Sequence, residues 1–209
     1  MQILHLDSSL TADTSASRRL SHAIVQALTD ARPDAQVRYR DLVAAPVPHL
    51  TGDIAAGFRS VSGVQELDTA SASERARSEA LVTEFLDSDV IVVGAPMYNF
   101  SVASQLKAWM DRIAQPGRSF RYTEEGPVGL AGGRRVIVAS TRGGMYSAGA
   151  ASGMDFQESY LQAFFGFLGI ADVRFVRAER LTKGAELREQ SLTDATFRVP
   201  AVVAQALAA

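Results

Sequence analysis

The chain has 209 residues, enough to bury a full core as one domain spanning 1–209, and its 47% hydrophobic and 21% charged residues are those of an ordinary globular protein. A formal net charge of -2 provides no global basic field, so neither nucleic acid nor an anionic membrane is an expected partner. With no cysteine, disulfides, thiolate metal sites and thiol redox chemistry are excluded together; no metal is expected, and any redox role must come from a cofactor.

Met1 leads directly into residues 2–6, with no secretory pattern and no apolar run of membrane-spanning length, so the expected location is cytoplasmic. Residues 2–6 are short and apolar and run into Asp7-Ser8-Ser9, which predicts a buried first strand ending in a polar loop. Loop 8–17 carries seven hydroxyl or acidic residues before Leu20, Ile24, Val25 and Leu28 set up a helical stripe. A hydroxyl-rich loop feeding a helix start suits an anion, because first-turn amides are unpaired and the helix dipole favours negative charge. Plain N-capping by Ser15 or Ser17 is the simpler account of the same residues.

Pro33 closes this helix, and Val37 and Tyr39, alternating with Arg38 and Arg40, predict a second strand with one face in water. Residues 41–57 contain Pro46, Pro48 and Gly52 and predict loop with one helical turn. Residues 73–87 predict a half-buried helix whose charges form a solvated face. The chain is organised around residues 89–115. Val90, Ile91, Val92 and Val93 predict a strand buried on both faces, and Gly94-Ala95-Pro96 is expected to end it, because proline cannot donate to a ladder. Beyond Met97-Tyr98-Asn99-Phe100-Ser101, apolar Leu106, Trp109, Met110 and Ile113 recur at helical spacing. Ligands of open α/β sheets bind outside the carboxyl ends of the strands, so Met97 to Phe100 are the first candidates for a cofactor wall.

Pro116-Gly117 stops that helix, and residues 118–127 predict a long polar loop in which Phe120 and Tyr122 have no obvious core to fill. Residues 135–140 predict another buried strand, ending in Thr141-Arg142-Gly143-Gly144, where Gly-Gly is either a tight turn or a way for backbone amides to approach a ligand. Phe156, Tyr160, Phe164 and Phe167 follow at helical spacing and read mainly as core. Gly169 closes that helix before a last strand around 173–176, and Pro200 is expected to kink or interrupt the helical segment that starts at Ala185. Five strands separated by helices imply a doubly wound parallel sheet, flavodoxin-like in the order 2-1-3-4-5, with helices on both faces.

GxGxxG does not follow the first strand, and neither GxxxxGK[ST] nor GxSxG occurs, so dinucleotide binding of the Rossmann type, P-loop hydrolysis and a hydrolytic elbow all lose their support. His5, His22 and His49 are too widely spaced to suggest a metal set.

The segments SSLTADTSAS, APMYNFSVASQLKAWMDRI, FRYTEEGPVGL and TRGG resemble those of the bacterial FMN-dependent NADH-azoreductases, relatives of the quinone reductases with a flavodoxin-like fold. The similarity runs in the same order over nearly the whole chain, FFGFLGIADVRFV included. It implies FMN bound tightly but non-covalently, NADH or NADPH as donor, and quinones or azo compounds as acceptors in a two-electron ping-pong exchange. In that exchange the flavin N5 carries the chemistry and no side chain is catalytic.

The resemblance also implies that Ser9, Ser15, Ala16 and Ser17 hold the phosphate, and that Met97, Tyr98, Asn99 and Phe100 line the isoalloxazine. Thr141, Arg142, Gly143 and Gly144 would contact its pyrimidine end, Thr141 standing where the family has serine. Asn99, Phe120, Tyr122 and Phe164 would border the substrate, Phe164 coming from the second subunit of a homodimer with the site at its interface. Beside the enzyme stand a flavodoxin-like carrier delivering electrons to a protein partner and a flavin-sensing protein without turnover. A net charge of -2 gives such a carrier little steering field.

Overall fold

The computed structural model describes residues 1–12, 14–59 and 69–208; Asp13 of the hydroxyl-rich loop lies outside them. Five parallel strands, β1 (Gln2–Asp7), β2 (Gln36–Asp41), β3 (Val90–Pro96), β6 (Arg135–Thr141) and β7 (Asp172–Ala178), form one sheet in the order β2-β1-β3-β6-β7. Counting only these strands, the order is the expected 2-1-3-4-5. Strands β4 (Phe120–Thr123) and β5 (Gly126–Gly129) pair with each other as a separate antiparallel hairpin.

Alternation along each strand distributes the core between two faces. Ile3, Val90, Val92, Ile137 and Ala139 point toward α1 (Ala16–Ala31) and α6 (Ala185–Ala208), where they meet Leu20, Ile24, Leu192 and Val199. Leu4, Leu6, Ile91, Val93, Val136 and Val138 point the other way, toward α3 (Thr69–Leu86), α4 (Ser104–Ile113) and α5 (Phe156–Phe167). Register then aligns the strand ends: Asp7 lies opposite Gly94, Pro96 opposite Thr141, and Thr141 opposite Ala178. The loops after β1, β3, β6 and β7 therefore leave from one edge of the sheet.

Several local expectations need correction. Residues 118–127 are mainly the β4–β5 hairpin, and Phe120 is 5% exposed within the core, in contact with Phe167 at 4.7 Å between ring centroids. Residues 52–59 form a full helix, α2 (Gly52–Arg59), rather than a single turn. Strand β3 runs through Pro96, because the ladder is resumed at once by the Met97 amide donating to the Thr141 carbonyl at 2.8 Å. β2 is an edge strand with both faces largely in water, since it pairs only with β1. Pro200 does not interrupt α6: Leu192, Ala195, Val199 and Val203 form one buried stripe that holds both halves against α1 and the sheet.

Candidate active site at the carboxyl edge of the sheet

The first loop is built largely by its own hydroxyls. Ser15 is the N-cap of α1, its Oγ accepting from the Arg18 amide at 3.2 Å and lying 3.1 Å from Ser17 Oγ, and Ser9 Oγ accepts from the Thr11 amide at 3.3 Å. Ala16 and Ser17 begin the helix, and their amides have no hydrogen-bond partner among the described residues. The Arg18 guanidinium is committed to the scaffold: it meets Asp41 at 2.7 Å and donates to Tyr39 at 3.0 Å and to the Ser9 carbonyl at 3.3 Å.

Beneath this loop, Asp7 accepts from Ser21 at 2.8 Å and from Tyr39 at 3.1 Å. Burial pushes the Asp7 carboxyl up, but His5, Ser21 and Tyr39 outweigh it and hold the group below the usual carboxylate range. Gly94 is required here, since a Cβ on it would lie 2.2 Å from Asp7 Oδ1.

The second loop is a tight turn. Tyr98 and Ser101 exchange backbone hydrogen bonds of 3.0 and 3.1 Å, and between them Asn99 and Phe100 take φ values of 46° and 72°. Two successive positive φ values are those of a type I′ turn. Asparagine tolerates that region, whereas phenylalanine occupies it at a cost of roughly 1–3 kcal/mol. The result presents Asn99 and a 41%-exposed Phe100 at the sheet edge. Tyr98 ties this loop to the first, its hydroxyl accepting from the Leu10 amide at 3.0 Å.

The third loop joins the second through Phe100, whose ring stands edge-on to Tyr146 at 6.2 Å and whose carbonyl accepts from the Phe156 amide at 3.1 Å. Thr141 is nearly buried, and the Arg142 side chain is wholly so. Its guanidinium lies 2.8 Å from both Asp155 and Glu158, 3.2 Å from Glu179, and donates to Gln157 at 3.1 Å. Arg142 is thus turned into the protein, and its amide is already bonded to Ala178, whereas the amides of Gly143 and Gly144 have no partner among the described residues. Burial pushes Glu179 up, but Ser147, the Tyr146 and Ser147 amides and Arg142 outweigh it and hold its carboxyl low.

A cavity of about 580 Å³ opens against the second loop, lined by Leu10, Tyr98, Asn99, Val102, Lys107 and Tyr160 among others. Burial, with the Asp111 charge nearby, pushes the Tyr160 hydroxyl up to about 12, which keeps it a donor at neutral pH. Of these residues, the sequence singled out Tyr98 and Asn99 for the site and read Tyr160 mainly as core. The others carry the ordinary residue types of helix starts and core stripes.

One chain does not bring every candidate together. α5, 12 residues and so about 18 Å long, begins beside Phe100 and ends beside Phe120, which sets the hairpin at its far end from the loops. Phe120 is core, Tyr122 stands 72% exposed on the hairpin, and Phe164 packs midway between Tyr160 and Phe165. Sequence reasoning also passed over Glu179 to Thr182, although they follow a sheet strand at the same edge as the three loops. The strand-end rule, applied to β7, reaches them.

The donors present fit a flavin mononucleotide: hydroxyls and free helix-start amides at one end, a strained aromatic turn in the middle and free Gly-Gly amides at the other. A family model described as flavodoxin-like fold matches residues 1–199. The chain is 63% identical to an FMN-dependent NADH:quinone oxidoreductase of Ralstonia nicotianae over the whole of both proteins. It is 58% identical to FMN-dependent NADH:quinone oxidoreductase 2 of Xanthomonas axonopodis pv. citri, covering 97% of this chain and 94% of that one. Among solved structures, an azoreductase from Bacillus anthracis superposes with a TM-score of 0.90 at 25% identity, covering 98% of this chain and 99% of the other. With its sheet order, strand-end loops and full-length similarity, this chain belongs to the flavodoxin-like fold family, among the FMN-dependent NADH:quinone oxidoreductases.

Proposed function

We propose that the chain binds FMN across its three strand-end loops and uses NADH or NADPH to reduce quinones and azo compounds. The observation that carries this reading is the pair of amide sets without a partner among the described residues, Ala16 with Ser17 and Gly143 with Gly144, on either side of the Tyr98–Ser101 turn. Ser9, Ser15, Ala16 and Ser17 hold the phosphate without a lysine, Met97, Tyr98, Asn99 and Phe100 line the isoalloxazine, and the turn from Thr141 to Gly144 faces its pyrimidine end through the glycine amides. Held by these residues, FMN would supply two-electron chemistry at N5 between a nicotinamide donor and the acceptor, with one face serving both in turn. The quinone class is supported by the names of the two bacterial relatives, and the azo class by that of the Bacillus anthracis protein.

The complete site lies between two copies of the chain. Tyr122 stands on the hairpin at the far end of α5 from Asn99, so it borders the acceptor from a second copy together with that copy's Phe164, with Phe120 packing the hairpin from beneath. Among the described residues no helix is long and apolar enough to cross a membrane, and we place the reaction in the cytoplasm.

The test is direct. Purified protein mixed with FMN should retain about one flavin per chain and turn yellow; NADH should bleach it without oxygen, and menadione should restore the colour. Protein that retains no flavin after gel filtration would sink the reading. Substituting Gly144 with valine should weaken flavin retention, since even a Cβ there lies 3.1 Å from the Tyr146 ring. A monomer in light scattering would undo the shared site.

A further inference from the structure

The turn at Gly143-Gly144 is shaped by a fourth segment that follows β7. Three successive carbonyls face it: Arg142 accepts from the Leu181 amide at 3.1 Å, Gly143 from the Thr182 amide at 3.2 Å and the Thr182 hydroxyl at 2.9 Å, and Gly144 from the Arg180 amide at 2.9 Å. Arg180 takes a φ of 61° in that segment, a left-handed conformation that a non-glycine residue adopts only at a cost. Glu179 secures the rest of the loop. Its carboxylate accepts from the Tyr146 amide at 2.8 Å and the Ser147 amide at 2.9 Å, from the Ser147 hydroxyl, and from Arg142 at 3.2 Å.

The two glycines answer to this arrangement as much as to any ligand. A Cβ on Gly143 would meet the Thr182 methyl at 3.0 Å, and one on Gly144 the Tyr146 ring at 3.1 Å. With the carbonyls of 142–144 drawn to one side, the Gly143 and Gly144 amides have no hydrogen-bond partner among the described residues. Donors fixed in advance stabilise developing negative charge more than donors that must reorganise.

We propose that Glu179 and Thr182 are positioning residues: they hold the Gly143-Gly144 turn so that its amides meet the flavin, and thereby set flavin affinity and midpoint potential. This rests on the flavin reading above, but one arm of its test does not. In flavin-free protein, E179A should speed hydrogen exchange at the Tyr146 and Ser147 amides about tenfold or more, the factor corresponding to roughly one lost hydrogen bond. With flavin, E179A should raise the FMN dissociation constant about tenfold and move the midpoint potential to a more negative value, because the amides no longer favour charge at the pyrimidine edge.

The sign discriminates, since removing the Glu179 charge alone would make reduction easier and the potential more positive. T182V should move affinity and potential in the same direction by less, and T182S should restore both. L192A, in the α1–α6 core, should lower Tm and leave exchange at 146 and 147, affinity and potential unchanged. If E179A does not fold, the T182V and T182S pair carries the test.

Unchanged exchange, a positive shift, or an equal shift in L192A would overturn the positioning role while leaving the flavin reading intact. Wild-type protein that binds no FMN would instead overturn that reading, and the exchange arm would still decide whether Glu179 holds the loop.

Discussion

The first and third loops have the same task, presenting backbone donors at a sheet edge, and they are held in opposite ways. In the first, Ser9 bonds to Thr11, and Ser15 to Ser17 and Arg18, all within three residues along the chain. In the third, Gly143, Tyr146 and Ser147 bond to Glu179 and Thr182, between 32 and 39 residues away. At the helix start the first loop is held by its own hydroxyls, while Ser8, Leu10 and Thr14 tie it to Gly94, Tyr98 and Arg188; the third is cast against one remote segment that shapes the turn itself. A locally held loop loses one bond to one substitution, whereas a remotely held loop transmits damage from positions that touch no ligand.

The largest effect should come from R142M. It leaves Asp155, Glu158 and Glu179 facing one another without their shared cation, and urea unfolding at pH 7 should show a loss of about 3–5 kcal/mol. If S15A cost as much, the contrast between the loops would fail.

Next comes D7N, at about 2 kcal/mol at neutral pH. The Asp7 carboxyl is lower in the folded chain than in the unfolded one, so its contribution is complete above the ordinary carboxylate range and is lost as pH falls through the lowered value. Acid titrations of stability should therefore show the gap between wild type and D7N closing on the acid side; a constant gap would break the assignment.

S15A should cost about 1 kcal/mol, the worth of an N-cap, and should weaken FMN binding without moving the midpoint potential. The smallest change in stability belongs to Y122A, on an exposed ring, which should alter KM for quinones relative to azo dyes while flavin content stays constant.

Legibility followed the same division. The sheet could be read because Ile3 and Leu4, or Val90 to Val93, alternate between two apolar faces. The hairpin was misread as loop because Phe120 is buried by Phe167, a partner far along the chain, and no local pattern announces such a contact. The resemblance put Arg142 among the pyrimidine contacts; that its guanidinium is enclosed by three carboxylates, from Asp155, Glu158 and Glu179, is announced by no local pattern either.

The β4–β5 hairpin pairs with no strand of the main sheet and meets the α5 terminus where Gly129 and Gly169 lie back to back. Its tip can therefore be lengthened, shortened or given new aromatics without shifting any register beneath the flavin loops. On the function proposed above, a change of acceptor through Tyr122 would then leave the cofactor's grip untouched, the two being housed in separable pieces of one chain.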